Sequence, residues 1–226
     1  MQEIEGVDAY INAVFHSHCP YLGLALQDGG IDIVDYTKVP DLVSDDLPGL
    51  GCLNAERLRE CRRSQISARR RILVCAILIF PNAANIRQAV SKTHFILKVL
   101  FTGQGLLFGK FWPGQGLVGE NGLAVPEPPL PVLVLRSSLA RRDEHFFENK
   151  SRPFRDDYLC AEDDGEIVSG PFLRLAANEL RAALSPDQAE ASDDLQVSRA
   201  AYGSKELIKL LESNHGKSRK HDALAP

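Results

Sequence analysis

The distribution of apolar residues along the chain predicts four strands. Residues 72–80 are uniformly apolar and rich in β-branched side chains, a pattern typical of a central strand that is buried on both faces. Residues 31–39 alternate between apolar and polar positions, as a half-buried strand does. Residues 105–111 and 130–135 are two shorter apolar segments, and the long loop between them is rich in glycine and proline.

Helical periodicity is found between these strands. Residues 4–15 carry an apolar stripe, and this helix is expected to end before Cys19-Pro20, because a residue before proline is disfavoured in the α region. Residues 40–54 contain the proline, glycine, serine and aspartate residues typical of a loop, and a loop is predicted there. Residues 55–71 hold many arginines and only a thin apolar stripe, which predicts a surface helix. Asn82 is placed to cap the helix that follows the central strand.

The C-terminal third is more polar. We expect a short helix at residues 143–147, a charged irregular segment at 148–168 and a helix at 171–184 with Pro171 in its first turn. A polar linker at 185–194, a weak helix near 207–211 and a disordered basic tail are expected to follow.

Together these elements predict an α+β fold. Its sheet would be mixed but mainly antiparallel, with four to five strands packed against helices. Residues 1–184 would form a single domain, and residues 185–226 would comprise the linker, the short helix and the tail.

Composition narrows the function classes. The formal net charge of -4 disfavours a nucleic-acid binder, since such proteins are normally basic. The longest apolar run, residues 72–80, is about half of a membrane span, and the acidic N-terminus does not resemble a signal peptide. The five cysteines include no Cys-x-x-Cys pair, which favours a cytoplasmic protein with free thiols.

No catalytic motif of high specificity is present. The glycines at 103–109 have the wrong spacing for a dinucleotide fingerprint, and they begin a strand instead of joining a strand to a helix. Neither a phosphate-binding loop of the Gly-x-x-x-x-Gly-Lys type nor a Gly-x-Ser-x-Gly nucleophile motif occurs. The sequence therefore does not specify a reaction.

The densest group of potential ligands is His16-Ser17-His18-Cys19. His18 and Cys19 are the candidate ligands for a metal ion or for a haem iron, because haem needs only one axial His or Cys. The alternative is a helix end with ordinary surface histidines. Cys19 could also be a nucleophile with His18 or His94 as its base, although His94 lies on an apolar helix face, where a satisfied core histidine is more common.

Three further residues are candidates for substrate binding. Arg136 ends an apolar strand, so its guanidinium could bind a carboxylate or phosphate; it could equally pair with Asp143 and hold the following turn. Phe111 and Trp112 precede the long loop, and Trp112 could anchor that loop as a lid. The arginines of residues 55–71 are interpreted as a solvated face or a surface for an acidic partner.

Five pieces occur in a recognisable order. They are Cys19-Pro20-Tyr21, Phe80-Pro81, the segment GLLFGKFWP at 105–113, the segment PLPVLVLR at 129–136, and residues 143–147. Over residues 19–147 this order resembles the bacterial family numbered 6875 among the domains of unknown function. The resemblance implies a role in specialised metabolism and supplies no activity. Trp112 stands where the family pattern has histidine.

The resemblance and the candidate residues give two expectations of function. The first is a tailoring enzyme of natural-product biosynthesis acting on a small polar or anionic molecule in a pocket between strands 105–111 and 130–135. Haem-dependent oxidation is one form of it, because the Cys-Pro context also resembles the haem-dependent N-oxygenases of guanidine-toxin biosynthesis. The second is a non-catalytic accessory protein that contacts a pathway enzyme through its loop and arginine helix. Neither expectation involves nucleic acid or a membrane.

Overall fold

The computed structural model describes residues 6–65, 67–119, 121–139, 143, 158–159, 161–163, 168 and 191–202. Its helices are α1 (Val7–Ser17), α2 (Pro20–Gln27), α3 (Leu47–Ser64), α4 (Ala68–Leu73), α5 (Ala84–Phe101) and α6 (Ala191–Tyr202). Its strands are β1 (Ile31–Asp35), β2 (Cys75–Ile79), β3 (Leu106–Phe111) and β4 (Val132–Ser137). Short 3-10 turns occupy Ser44–Asp46 and Thr102–Gln104. The helices predicted at 171–184 and 207–211, nearly all of the one at 143–147, and the basic tail lie outside the described residues.

The four strands form one mixed sheet in the order β1-β2-β4-β3. Only β1 and β2 are parallel; β4 is antiparallel to both β2 and β3. The α+β fold and the mainly antiparallel sheet predicted from the sequence are thus confirmed. As predicted, β2 is central and buried along its whole length.

The sheet separates two apolar clusters. Ala76 and Leu78 of β2 face the larger cluster, which α3 and α5 complete on one side of the sheet. Cys75, Ile77 and Ile79 face the smaller cluster, to which α1 contributes on the other side. Because successive side chains of a strand point to opposite faces, a uniformly apolar β2 is what a strand covered on both sides requires.

Helix α3 corrects two predictions. Residues 47–54 were predicted as loop, yet they form the first half of α3 and are buried. Pro48 is tolerated there because the first turn of a helix has no partner for its N–H groups. Gly51 lets α3 approach α5 closely, since a Cβ at Gly51 would lie 2.7 Å from Cγ2 of Thr93. The glycine and proline that indicated a loop therefore serve helix packing.

The arginines of α3 are not a solvated face, which is the second correction. Arg59 has 0% exposure, and its guanidinium donates to Glu56 Oε2 at 2.7 Å and to Asp163 Oδ1 at 2.6 Å. Arg62 and Arg63 also donate to Asp163, which therefore accepts from three arginines. We call this group the Asp163 cluster. Its members are occupied inside the fold, so they do not form a surface for an acidic partner.

Helix α6 begins inside the segment predicted as a polar linker. It packs against α3 and is tied to the chain by Arg199, which donates to both carboxylate oxygens of Asp46 at 2.8 and 2.7 Å. Asp194 and Ser198 on this helix are fully buried. The described part of residues 185–226 thus belongs to the packed structure.

Candidate functional site

A concave cleft lies at the amino ends of the parallel strands β1 and β2. It encloses about 410 Å³, within the size range of small-molecule sites. Segment 28–32, α3 and α4 form its walls, and its polar lining includes Asp28, Asp32, Asn54, Arg57 and Arg70. We call it the β1–β2 cleft.

A buried hydrogen-bonded group lies behind the β1–β2 cleft. The hydroxyl of Tyr36 donates to Asp194 Oδ2 at 2.8 Å and accepts from the Asn54 amide at 2.7 Å. Arg57, which also lines the cleft, places Nη1 2.5 Å from Asp194 Oδ1. These contacts join α6, α3 and Tyr36, the residue after β1, into a polar floor of the cleft.

Burial shapes the acid–base properties of this floor. It raises the pKa of Asp194 above its ordinary value of 3.8, although Arg57 and Tyr36 act in the opposite direction. Burial, followed by the charge of Asp194, raises the pKa of Tyr36 well above 10. Tyr36 therefore stays protonated at neutral pH. Perturbed carboxyl groups beside a cleft are typical of functional sites and also occur in structural ion-pair networks.

The structure gives Arg136 a partner within the fold. Its guanidinium forms a bidentate pair with Asp143, with N–O distances of 2.9 and 2.6 Å. Asp143 also accepts from the backbone N–H of Leu139 at 2.5 Å and so holds the turn after β4. The pairing that the sequence left open is thus present. A ligand that bound Arg136 would share it with Asp143 or displace that carboxylate.

Cys19 and Arg136, far apart in sequence, lie near each other. Cys75 is the register partner of Arg136 in the β2–β4 pair and lies on the α1 side of the sheet. Cys19 precedes α2 and interacts electrostatically with both Cys75 and Arg136. Burial raises the pKa of Cys75 to about 12 against the opposing charge of Arg136, so Cys75 is a neutral thiol at physiological pH.

His18 lies under the hairpin-like turn of the long loop. Its Nδ1 is 2.6 Å from Ser17 Oγ, and its buried Nε2 has no hydrogen-bond partner among the described residues. A Cβ at Gly119 would come within 2.9 Å of that Nε2, and Asn121 donates to the carbonyl of Ser17 at 3.1 Å. The loop therefore covers the imidazole nitrogen that an iron would need. These residues do not fit a porphyrin on His18.

A metal site built on several ligands is also not formed by the described residues. Within them, no three His, Cys, Asp or Glu side chains are grouped so as to hold a metal ion. His94 instead bonds to the carbonyl of Phe108 at 3.1 Å, and burial, with smaller contributions from Lys98 and Lys110, lowers its pKa to about 4. It is the satisfied histidine that its apolar helix face favoured, and it lies on the opposite side of the sheet from Cys19.

Phe111 and Trp112 do not share a site with Arg136. Strands β3 and β4 are direct hydrogen-bonded neighbours, so the pocket predicted between them does not exist. Phe111 pairs with Val132, four residues before Arg136 and about 13 Å away along the strand. The side chain of Phe111 packs on the α1 side of the sheet, whereas Trp112 packs on the α5 side.

The long loop closes onto itself beside Phe111 and Trp112. The carboxylate of Glu127 accepts from the backbone N–H groups of Gly114 and Gly116 at 2.9 and 3.0 Å. The space enclosed there is only about 10 Å³, room for about one water molecule. This loop is a folded connection that does not cover the β1–β2 cleft, whose lining it does not join.

Sequence reasoning missed most of the polar groups that the structure assembles. Asp194 and Asp163 lie in segments that sequence patterning gave as linker or irregular, and nothing local marks them as partners of α3. Asp32 could have been identified from the sequence, because a carboxylate at a polar position of an alternating strand faces away from the core. No helix among the described residues is long and apolar enough to cross a membrane.

Comparison with known proteins gives one match. The family described as a domain of unknown function, DUF6875, matches residues 17–161, which include all four strands. Neither the curated proteins nor the solved structures contain a significant match to this chain. The match covers more than half of the 226 residues and includes the five sequence pieces quoted above. The chain therefore belongs to the DUF6875 family.

Proposed function

We propose that this protein is a tailoring enzyme of specialised metabolism that binds a small polar molecule in the β1–β2 cleft. The observation that carries the proposal is the cleft itself, which combines a volume of about 410 Å³ with polar side chains from three elements. The free thiols of the described cysteines support an enzyme of the reducing cytoplasm.

Two side chains of the cleft are suited to ligand recognition. Asp32 on β1 and the side chain of Arg70 on α4 make no ion pair within the described part of the chain, so both charges can serve a ligand. Arg57 and Asn54 are held by the floor behind them and would present fixed N–H groups. A preorganised wall with free charges at its rim is the arrangement that orients a small polar substrate.

Removing the free charges tests this proposal. We expect Asp32→Ala and Arg70→Ala each to weaken binding of a hit from a screen of polar metabolites by about tenfold or more, since hydrogen bonds to charged groups contribute about 1.5 to 3 kcal/mol. Isothermal titration calorimetry measures this loss. Asp45→Ala is the matched control, because Asp45 is exposed and outside the cleft. Unchanged affinity in both cleft variants contradicts the site.

A second function, a non-catalytic accessory protein, is favoured by a different observation. The turn of the long loop exposes three apolar side chains: Leu117 by 37%, Val118 by 68% and Leu123 by 54%. Backbone contacts of Gly119 and the bridge between Val118 and Ala124 hold this turn in place. An ordered turn that presents apolar groups to solvent is suited to contact with a pathway enzyme.

The accessory function predicts a specific loss. Val118→Ser combined with Leu123→Ser is expected to weaken the complex with a co-purifying pathway enzyme by about tenfold or more, because each buried apolar side chain contributes about 1.5 to 3 kcal/mol. Analytical ultracentrifugation of the purified pair measures the affinity. The matched control is Ile72→Ser, which removes an apolar group with 42% exposure on α4. Equal affinities of the double variant and the control exclude this surface.

A further inference from the structure

Two cationic side chains and one serine form a row on α5 where this helix packs beside β3. Arg87, Ser91 and Lys98 lie at helix spacings of four and seven residues, which places them on one stripe of α5. Strand β3 follows α5 after a tight turn and packs against it. Lys110 lies beside Ser91 and Phe108 beside His94, so the strand runs back along the helix.

Lys110 is held in a defined position. Its ammonium group donates to Ser91 Oγ at 2.5 Å and lies 5.8 Å from the centre of the Trp112 ring. That distance is within the range of a cation–π interaction. An ammonium group has three N–H donors, and the Ser91 contact uses one of them. The other donors of Lys110 are therefore available to an acceptor that approaches from solvent.

Arg87 adds a donor that the described residues do not satisfy. Its Nε is buried and has no hydrogen-bond partner in the described part of the chain. Arg87 lies one helical turn before Ser91, towards the end of β3 that leads to Trp112. A buried N–H without an acceptor is costly, and a bound oxyanion would supply the acceptor.

The positive charges of Lys98 and Lys110 repel each other. The Lys98 pKa lies below its ordinary value because of burial and then because of the charge of Lys110. Burial lowers the pKa of Lys110 as well. With a pKa of about 4, His94 is neutral at physiological pH and donates Nε2–H to the Phe108 carbonyl. The chain has a formal net charge of -4, so the grouping of cations here does not follow from a basic overall composition.

We propose that Arg87, Ser91, Lys98 and Lys110 form a binding site for the phosphate group of a small phosphorylated molecule, with Trp112 at its edge. Lys98 and Lys110 both act electrostatically on His94, and Lys110 acts on Lys98, so two positive charges lie in this region. Two positive charges match a phosphate dianion better than the single charge of a carboxylate. The hydroxyl of Ser91 and the N–H groups of Arg87 and Lys110 are donors that phosphate oxygens accept. This site lies on the opposite edge of the sheet from the β1–β2 cleft and does not depend on it.

The probe for this proposal is inorganic phosphate, and the reporter is Trp112, the only tryptophan of the chain. Phosphate is expected to change the Trp112 emission in a saturable manner, whereas sodium chloride at equal ionic strength and sodium acetate do not. Lys98→Met and Lys110→Met are each expected to raise the half-saturating phosphate concentration by about tenfold or more, as the loss of one charge-assisted hydrogen bond does. Line broadening in phosphorus NMR provides a reading that does not depend on the tryptophan.

Lys38→Met is the matched control, because the Lys38 side chain is 64% exposed and lies beside β1 at the far edge of the sheet. It is expected to bind phosphate as the wild type does. The proposal is overturned if phosphate and chloride act alike in both measurements. It is also overturned if the Lys98 and Lys110 variants retain wild-type affinity by phosphorus NMR. A phosphorylated sugar that binds more tightly than free phosphate would support a small phosphorylated molecule as the ligand. Equal binding would overturn that part of the proposal, because the site would then recognise only the phosphate ion.

Discussion

Replacing Asp163 by asparagine is expected to lower the free energy of unfolding by about 3 to 5 kcal/mol, the effect of breaking a buried ion pair. The carboxylate accepts hydrogen bonds from Arg59, Arg62 and Arg63, and Arg59 is completely buried. An asparagine keeps one acceptor oxygen but removes the negative charge. The Glu56 carboxylate, which would still pair with Arg59, is also bound to the N–H of Val168.

The Asp163 cluster also makes stability depend on pH in a defined range. Burial alone would raise the pKa of Asp163, but hydrogen bonds from Arg59 and Arg62 outweigh it and hold the pKa at about 2, against an ordinary 3.8. Because the folded-state pKa is the lower one, this contribution is complete above about pH 3.8 and is lost as the pH falls through about 2. With the side chain 12% exposed, we expect it to amount to about 1 to 2 kcal/mol.

Urea unfolding at pH 7 and at successive steps between pH 4 and 2 measures both effects. The wild type is expected to lose the Asp163 contribution over that interval, and Asp163→Asn to lack that part of the slope. Asp45→Asn is the matched control, because Asp45 is exposed. An Asp163→Asn protein as stable as the control at neutral pH would show that the three arginines do not depend on this carboxylate.

The parts of the fold that sequence predicted well are those set by local apolar pattern. Residues 75–79 of the uniform run at 72–80 form the central strand β2, and residues 31–35 of the alternation at 31–39 form the edge strand β1. Residues 47–54 were predicted wrongly because proline and glycine have two uses. Both residues also occur in helices: Pro48 is tolerated in the first turn of α3, and Gly51 allows a close contact with α5. Whether such residues mark a loop or a helix depends on where α5 lies, which the local sequence does not show.

The candidate site also depends on contacts that local sequence does not show, here between residues far apart in the chain. Arg136 and Cys19 were singled out separately. The register of β2 with β4 pairs Arg136 with Cys75, and Cys19, just before α2, interacts with both. The β1–β2 cleft depends on where α3 and α4 settle relative to segment 28–32. Its floor depends on Asp194, which is 158 residues from Tyr36 in the chain. No spacing rule connects groups that far apart, so their assembly could not be predicted from one sequence.

Arg136→Met is expected to lower the free energy of unfolding by about 2 to 4 kcal/mol, somewhat below the usual effect because the Arg136 side chain is 29% exposed. The loss arises at Asp143, whose side chain is 5% exposed and would keep its charge without the guanidinium. Chemical denaturation of Arg136→Met, Asp143→Asn and the double variant forms a cycle. The double variant should be more stable than the sum of the single losses implies, because neither charge is left alone.

Arg69→Met is the control for Arg136→Met, since Arg69 is 65% exposed and lies 3.8 Å from Asp28 in a surface pair that contributes at most about 1 kcal/mol. The two functions considered for Arg136 separate clearly in this experiment. If stability falls as expected and the cycle shows strong coupling, Arg136 holds the turn after β4 and its assignment to the anionic end of a substrate is abandoned. If Arg136→Met is as stable as Arg69→Met while ligand affinity falls, the guanidinium serves the ligand, and the pair with Asp143 is the resting state that a substrate displaces.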